Sequence, residues 1–275
     1  VDELILALEE CDLNENAVCA PSNVTDLFEF RTPIVEILGF PITRTVFLIF
    51  LAGLIAVLLL WFGLRKGATQ PGKFQLSIES LMTYIRDEVA VGIIGPLGIK
   101  YYPYLMALFI FILIGNAFEV TPFINFPITS RMAIPLFLSL LTWVIFVFAG
   151  FKRNGISYLT GIIWPPGVPV ALKPLVGLIE FVSVFLVRPF SLAVRLFANL
   201  VAGHVMLSLL LVTALVSVVG LFTGEIPVIK GVFGFAWWAL ALAIFCFEMI
   251  VIILQAYIFT LLSAVYIDTS INVEH

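Results

Sequence analysis

Two stretches near the C-terminus, Ala171 to Val219 and Val228 to Ile267, are each apolar for 40 residues or more, yet both contain ionisable side chains. An upright helix crosses a membrane in about 20 residues, because 1.5 Å of rise per residue must cover about 30 Å of hydrocarbon. Each stretch is therefore either two spans folded back or one long, steeply tilted helix, which for the first would measure roughly 70 Å. Pro189 is the candidate kink inside it, and Gly220 to Pro227 is the turn between the two stretches.

The composition agrees with a membrane setting. Of 275 residues, 62% are hydrophobic and 12% charged, against about 45–50% and 25% in a soluble domain. So few charges cannot coat a globule of this size, which excludes an ordinary soluble enzyme and leaves lipid as the main solvent. The fold class expected is an all-α integral membrane protein.

Residues 1–43 read as an acidic head outside the membrane. Residues 1–36 hold nine acids and one base, whereas residues 37–275 hold nine acids and thirteen bases. A short helix is expected around Leu4 to Glu10, a break at Pro21-Ser22-Asn23, and turns at Pro33 and Pro41. The head lacks the Arg-rich character of a transit peptide and the apolar core of a signal peptide. Val1 in place of a starting Met fits a mature form whose targeting segment has been removed. Free thiols are expected, with a Cys11–Cys19 pair as the alternative, since these two alone are placed to pair.

Residues 44–275 form the expected membrane domain. Residues 44–64 read as one upright transmembrane helix, with Trp61 near its end and Arg65-Lys66 beyond. Over 73–90, Phe74, Ile78, Leu81, Met82 and Ile85 recur at helical spacing while Lys73, Glu79, Arg86, Asp87 and Glu88 take other positions. That is the pattern of an amphipathic helix on the membrane surface. Residues 103–151 read as a membrane hairpin, interrupted by Pro122 to Pro127 and closed by Lys152-Arg153; the long helices 171–219 and 228–267 follow. With the head outside and each long stretch counted once, five crossings put Arg65, Lys66, Lys73, Arg86, Lys100, Lys152, Arg153 and Lys173 inside. Only Arg31, Arg44, Arg131 and Lys230 then lie outside, so the positive-inside rule favours tilted single helices.

Six ionisable residues fall in membrane segments: Glu119, Glu180, Arg188, Arg195, His204 and Glu248. Each costs about 2.5–3.5 kcal/mol on insertion scales, so each needs a partner, water or a function. Arg195 has no acid within a helical turn and cannot lose its proton, which makes it a fixed positive charge. At about 100° per residue, Asn199 lies close to its face and His204 about 180° away; Glu248 and Gln255, about two turns apart, share a face of the next helix. His and Glu pass protons when their surroundings tune them, and intramembrane chains of such groups mark proton relays. A hydrogen-bonded packing role is the alternative for His204, and structural pairing or snorkelling for the arginines. No phosphate loop, nucleophile elbow, zinc-protease motif or dinucleotide fingerprint occurs, so no cofactor is expected; His204 with Glu248 offers at most adventitious Zn²⁺ binding.

The run Ser191-Leu-Ala-Val-Arg195-Leu-Phe-Ala-Asn199-Leu-Val-Ala-Gly203-His204 closely resembles the motif of subunit a of the F-type ATP synthase. The resemblance continues through Glu248 and Gln255-Ala-Tyr-Ile-Phe259, and more loosely to Asn116, Glu119 and Pro122, covering the chain from about residue 45. It implies two long tilted helices against a rotating ring of c subunits, and two half-channels opening on opposite sides of the membrane. Arg195 would separate the half-channels, favouring the ionised ring carboxylate and blocking a direct leak. His204 and Glu248 would belong to the outer path, with Asn199 and Gln255 beside the arginine. Glu180 resembles the inner-path carboxylate, although its spacing to Arg195 is one residue longer than the family's usual one. Histidine after the Arg-Leu-Phe-Ala-Asn run, with glutamate in the last helix, resembles mitochondrial and related bacterial members. The mitochondrial inner membrane is therefore the expected location, with the bacterial plasma membrane as the alternative.

The implied partners are the c-ring, other Fo and peripheral-stalk subunits and membrane lipid, with no nucleic acid, no nucleotide bound directly and no catalytic site on this chain. The runner-up is a self-contained proton- or ion-coupled secondary transporter, which would carry internal repeats that this sequence lacks. A membrane hydrolase would need a nucleophile and base in reach, and Ser191 or Ser208 near His204 is weak ground for one.

Overall fold

The computed structural model describes residues 35–37, 40–64, 72–121, 124, 126–164, 169, 172–224 and 227–272. The helix expected at Leu4 to Glu10 and the Cys11–Cys19 pair lie outside these residues. The described part of the head is an antiparallel hairpin, β1 (Val35–Ile37) and β2 (Phe40–Ile42), with Val35 opposite Ile42 and Ile37 opposite Phe40. Turns alone are expected there from sequence. Pro41, opposite Glu36, is tolerated because a two-stranded hairpin has only edge strands, where a missing N–H need not break a ladder.

From Arg44 onward the described chain is helical with connecting loops, the all-α membrane protein that its apolar runs demand. Among the described residues, four helices are long and apolar enough to cross a membrane, and a bent helix pair makes a fifth candidate. The first span, α1 (Arg44–Leu64), is apolar around its circumference. Its Leu48 and Ala52 pack on Phe118, Phe126 and Ile128, while Phe50, Leu54, Val57 and Trp61 face outward as lipid-facing side chains do.

The amphipathic stretch begins as α2 (Lys73–Tyr84), continues through a π-helical turn at Ile85–Val91, and ends in a 3₁₀ turn at Gly95–Lys100. It then bends by 120° into α3 (Tyr102–Ala117). Gly98 lets the 3₁₀ turn close onto the π-helical turn, because a Cβ there would collide with the Ala90 carbonyl. After a loop comes α4 (Ala133–Asn154), linked to α3 by a 2.6 Å hydrogen bond between the Tyr104 and Thr142 hydroxyls. A short helix, α5 (Ser157–Ile163), follows.

Each long apolar stretch is one helix and not a pair of spans. α6 (Lys173–Val182) runs through a π-helical turn, Ser183–Val187, into α7 (Arg188–Thr223), making a single helix of 51 residues; α8 (Val228–Ile271) has 44. At 1.5 Å per residue these are about 75 and 65 Å long, more than twice the hydrocarbon thickness. Pro189 has no N–H to donate, and its ring crowds the carbonyl four residues back. The wider turn just before it takes up that mismatch, so the helix continues instead of breaking. α7 stops at Gly224, whose φ of 77° is the left-handed cap and whose N–H bonds the Gly220 carbonyl. Both helices run a turn past the apolar stretches, through Thr223 and through Asp268 and Thr269, which are polar but not helix breakers.

α7 and α8 lie antiparallel, with Gly231 against Leu221, Gly234 against Ser217 and Gly203 against Glu248. α3 and α4 pack on α8, α4 also packs on α7, and α1 packs on α3. Where these helices meet, Leu105, Phe109, Ile112, Phe146, Leu192, Leu196, Leu200 and Phe259 make the core.

Gly150 on α4 lies flat against the Tyr158 ring, where a Cβ would come within 2.7–2.9 Å of three ring carbons. Gly150→Ala is therefore expected to destabilise the chain by about 1–3 kcal/mol, as overpacking does. A lowered thermal midpoint of the detergent-purified complex would register it, and an unchanged midpoint would mean that α5 yields freely.

Candidate functional site

The two sides of α7 differ in chemistry. Asn199 is exposed, Arg195 is half-buried, and His204 keeps only 5% of its surface. Among the described residues, Arg195 makes no hydrogen bond or ion pair. A guanidinium stays charged at any physiological pH, so this is a fixed cation with five donors to offer.

On the far side, His204 Nδ1 lies 3.7 Å from Glu119 Oε1. Glu119, 2% exposed, occupies the turn that ends α3, where its N–H bonds the Asn116 carbonyl at 3.0 Å. The fully buried Asn116 side chain in turn accepts a 2.7 Å hydrogen bond from Thr129 Oγ1. From α8, Glu248 points its carboxylate at the Gly203 backbone, into space that any side chain on residue 203 would fill. It is also 2% exposed. Glu119, His204 and Glu248 thus form one buried cluster drawn from three separate elements.

Both Glu119 oxygens and Glu248 Oε2 find no hydrogen-bond donor among the described residues. A buried polar group left so costs about 1–3 kcal/mol, and more if charged. Water or shared protons would satisfy these groups. A histidine beside two such carboxylates can accept, hold and pass a proton, which the guanidinium on the other side cannot do. The described residues include no group of three or more His, Cys, Asp or Glu side chains that could hold a metal ion.

Gln255, 5% exposed, lies two turns along α8 from Glu248. Eight residues along both helices from the Gly203–Glu248 contact come Arg195 and Ala256. Gln255 is therefore level with the arginine.

Glu180 stands apart from this cluster. Its carboxylate lies 3.4 Å from Arg188 Nη2, while Arg188 Nη1 donates to Thr269 Oγ1 at 3.1 Å and the guanidinium sits 5.5 Å from the centre of the Tyr266 ring. In a regular α-helix, residues eight apart differ by about 80° in direction. The underwound turn at Ser183–Val187 removes much of that offset. Sequence reasoning weighed Glu180 and Arg188 separately and missed the pair. The signal that points to it is the extra residue between Glu180 and Arg195, which an underwound turn can absorb. Gly203 was missed as well, since nothing in the sequence says which side chain approaches it.

A family model described as ATP synthase A chain matches residues 46–268. The chain is 41% identical over 218 residues to ATP synthase subunit a of Frankia alni, covering 78% of this chain and 73% of that one. It is 38% identical to subunit a of Gluconacetobacter diazotrophicus, over 80% and 84% of the two chains, and 34% identical to that of Cereibacter sphaeroides, over 86% and 84%. These relatives are bacterial, which favours the plasma membrane over the mitochondrial inner membrane expected from the histidine motif. A match across most of the chain, on a multi-pass helical fold, leads to one conclusion: the chain belongs to the ATP synthase subunit a family.

Proposed function

We propose that this chain is the proton-carrying stator subunit of the Fo sector in a bacterial plasma membrane, working against a ring of c subunits. The observation that supports the reading best is the division of α7 into two sides. One carries the fixed cation Arg195 with the exposed Asn199; the other carries His204 within the buried acid cluster. Arg195 is half-buried and has no partner among the described residues, which suits a charge whose counter-ion is brought by another subunit.

In this reading a proton enters the outer path and passes through Glu119, His204 and Glu248 to the ring, with Gln255 and Asn199 lining the approach to Arg195. As each ring carboxylate reaches Arg195 it gives up its proton to the inner path, where Glu180 receives it. At 4 Å and an effective dielectric of 20, the guanidinium would favour the ionised carboxylate by about 4 kcal/mol, roughly a thousandfold. The same charge repels a proton hopping directly between the paths. The ring must therefore turn for protons to cross. ATP chemistry belongs to other subunits, and this chain supplies the route and the fixed charge.

The test is ATP-driven acidification of liposomes holding the whole complex. His204→Ala, Glu248→Gln and Glu119→Gln are each expected to slow it about tenfold or more, as loss of a proton-transfer group does, with normal assembly. Native rates in all three variants would return the cluster to a packing role.

A further inference from the structure

The ion pair beside Pro189 joins three elements. Arg188 begins α7, Glu180 lies on α6, and Thr269 and Tyr266 belong to the last turns of α8. The Arg188 side chain is 20% exposed and held at two points, the Thr269 hydroxyl at 3.1 Å and the Tyr266 ring at 5.5 Å. Its other terminal nitrogen, Nη2, donates to Oε1 of Glu180 at 3.4 Å. The Glu180 side chain remains 45% exposed. The Tyr158 hydroxyl on α5 pairs with Ser270 Oγ at 3.4 Å.

This is an unusual way to hold a carboxylate if its purpose is stability. A stabilising Arg–carboxylate pair is bidentate and shielded, whereas an open, single-point pair contributes little. Here the arginine is braced and the glutamate is not. One carboxylate oxygen is held, and the other takes no hydrogen bond among the described residues. The π-helical turn at Ser183–Val187 is what lets Glu180 reach this braced cation.

We propose that Arg188 is the positioning residue of the inner proton path: braced by Thr269 and Tyr266, it fixes the Glu180 carboxylate so that one oxygen stays free to take up and release protons. The proposal rests on the reading of Glu180 as the inner-path carboxylate. Arg188 itself carries no proton, and it acts only through Glu180.

The experiment uses the whole complex in liposomes and compares the initial rate of ATP-driven acidification in Arg188→Gln, Arg188→Lys, Glu180→Gln and the Arg188→Gln/Glu180→Gln double variant. Native and Arg195→Ala complexes run beside them, and the retained subunit and thermal midpoint are checked for each. Arg188→Gln is expected to lose about tenfold in rate with the subunit retained. Arg188→Lys, which keeps the charge, should recover most of it, and the double variant should be no slower than Glu180→Gln alone. Independent, multiplying losses, or a native rate in Arg188→Gln, would overturn the proposal. So would equal losses in the Lys and Gln variants together with a fallen thermal midpoint, because the arginine would then be only a staple between α7 and α8. If instead Arg195→Ala pumped normally, the underlying functional reading would fail, a result separable from any outcome at Arg188.

Discussion

Arg195→Ala is expected to abolish ATP synthesis driven by an imposed proton gradient, lowering it by at least about a hundredfold while the complex still assembles. The side chain is half-buried and takes no hydrogen bond or ion pair from the described residues, so its removal strips no internal partner. What is lost is the roughly thousandfold preference for an ionised ring carboxylate that a guanidinium at contact distance supplies. A ring carboxylate that stays protonated has no reason to stop at this chain, and rotation is no longer tied to proton transfer. Arg195→Lys keeps the charge as a single point on a flexible stem and loses the planar fork. It should fall between alanine and the native residue. Synthesis rates under a fixed gradient decide the matter, and native synthesis in the alanine variant would remove Arg195 from the mechanism.

The second large effect is expected at Gly203, a position with no chemistry of its own. The Glu248 carboxylate occupies the place where a side chain on residue 203 would begin. Gly203→Val must push that carboxylate away from its buried place on α7 beside His204. Proton flux should fall about ten- to a hundredfold, comparable with the loss of a proton-transfer group. Combining Gly203→Ala with Glu248→Asp, which shortens the acid by one methylene, should recover part of the flux lost in Gly203→Ala alone. Acidification rates check both statements. Equal rates in Gly203→Ala with and without the shortened acid would mean that Glu248 is not held by this contact.

The helical class and the main spans were legible because lipid permits little else: a backbone without water must satisfy its hydrogen bonds internally, and long apolar runs then become helices. The opposed directions of Arg195 and His204 were legible for a similar reason, since a regular helix fixes the angle between residues nine apart. The choice between two spans and one long helix was not decided by hydropathy. It turned on how the chain passes Pro189, and the answer is the π-helical turn at Ser183–Val187, which no apolar pattern announces. The same turn explains why the Glu180–Arg188 pair escaped notice, because the pair depends on an underwound helix. Glu119 was a candidate on charge, depth and a loose resemblance. Its place beside His204 is tertiary, set by the loop after α3 and by Thr129 holding Asn116. The β1–β2 hairpin was missed for a local reason, as its strands have only three residues each and one of them contains a proline.

The account stands on one claim, that protons cross only by way of the ring and that Arg195 enforces this. The most direct measurement is ATP-driven acidification together with passive proton leak, in liposomes holding the whole complex with the native chain or Arg195→Ala. The account predicts that pumping disappears in the variant although the subunit is retained, with a passive leak no smaller than the native one. Undiminished pumping in Arg195→Ala would contradict it, leaving the arginine as a structural charge and the two-path mechanism without its divider.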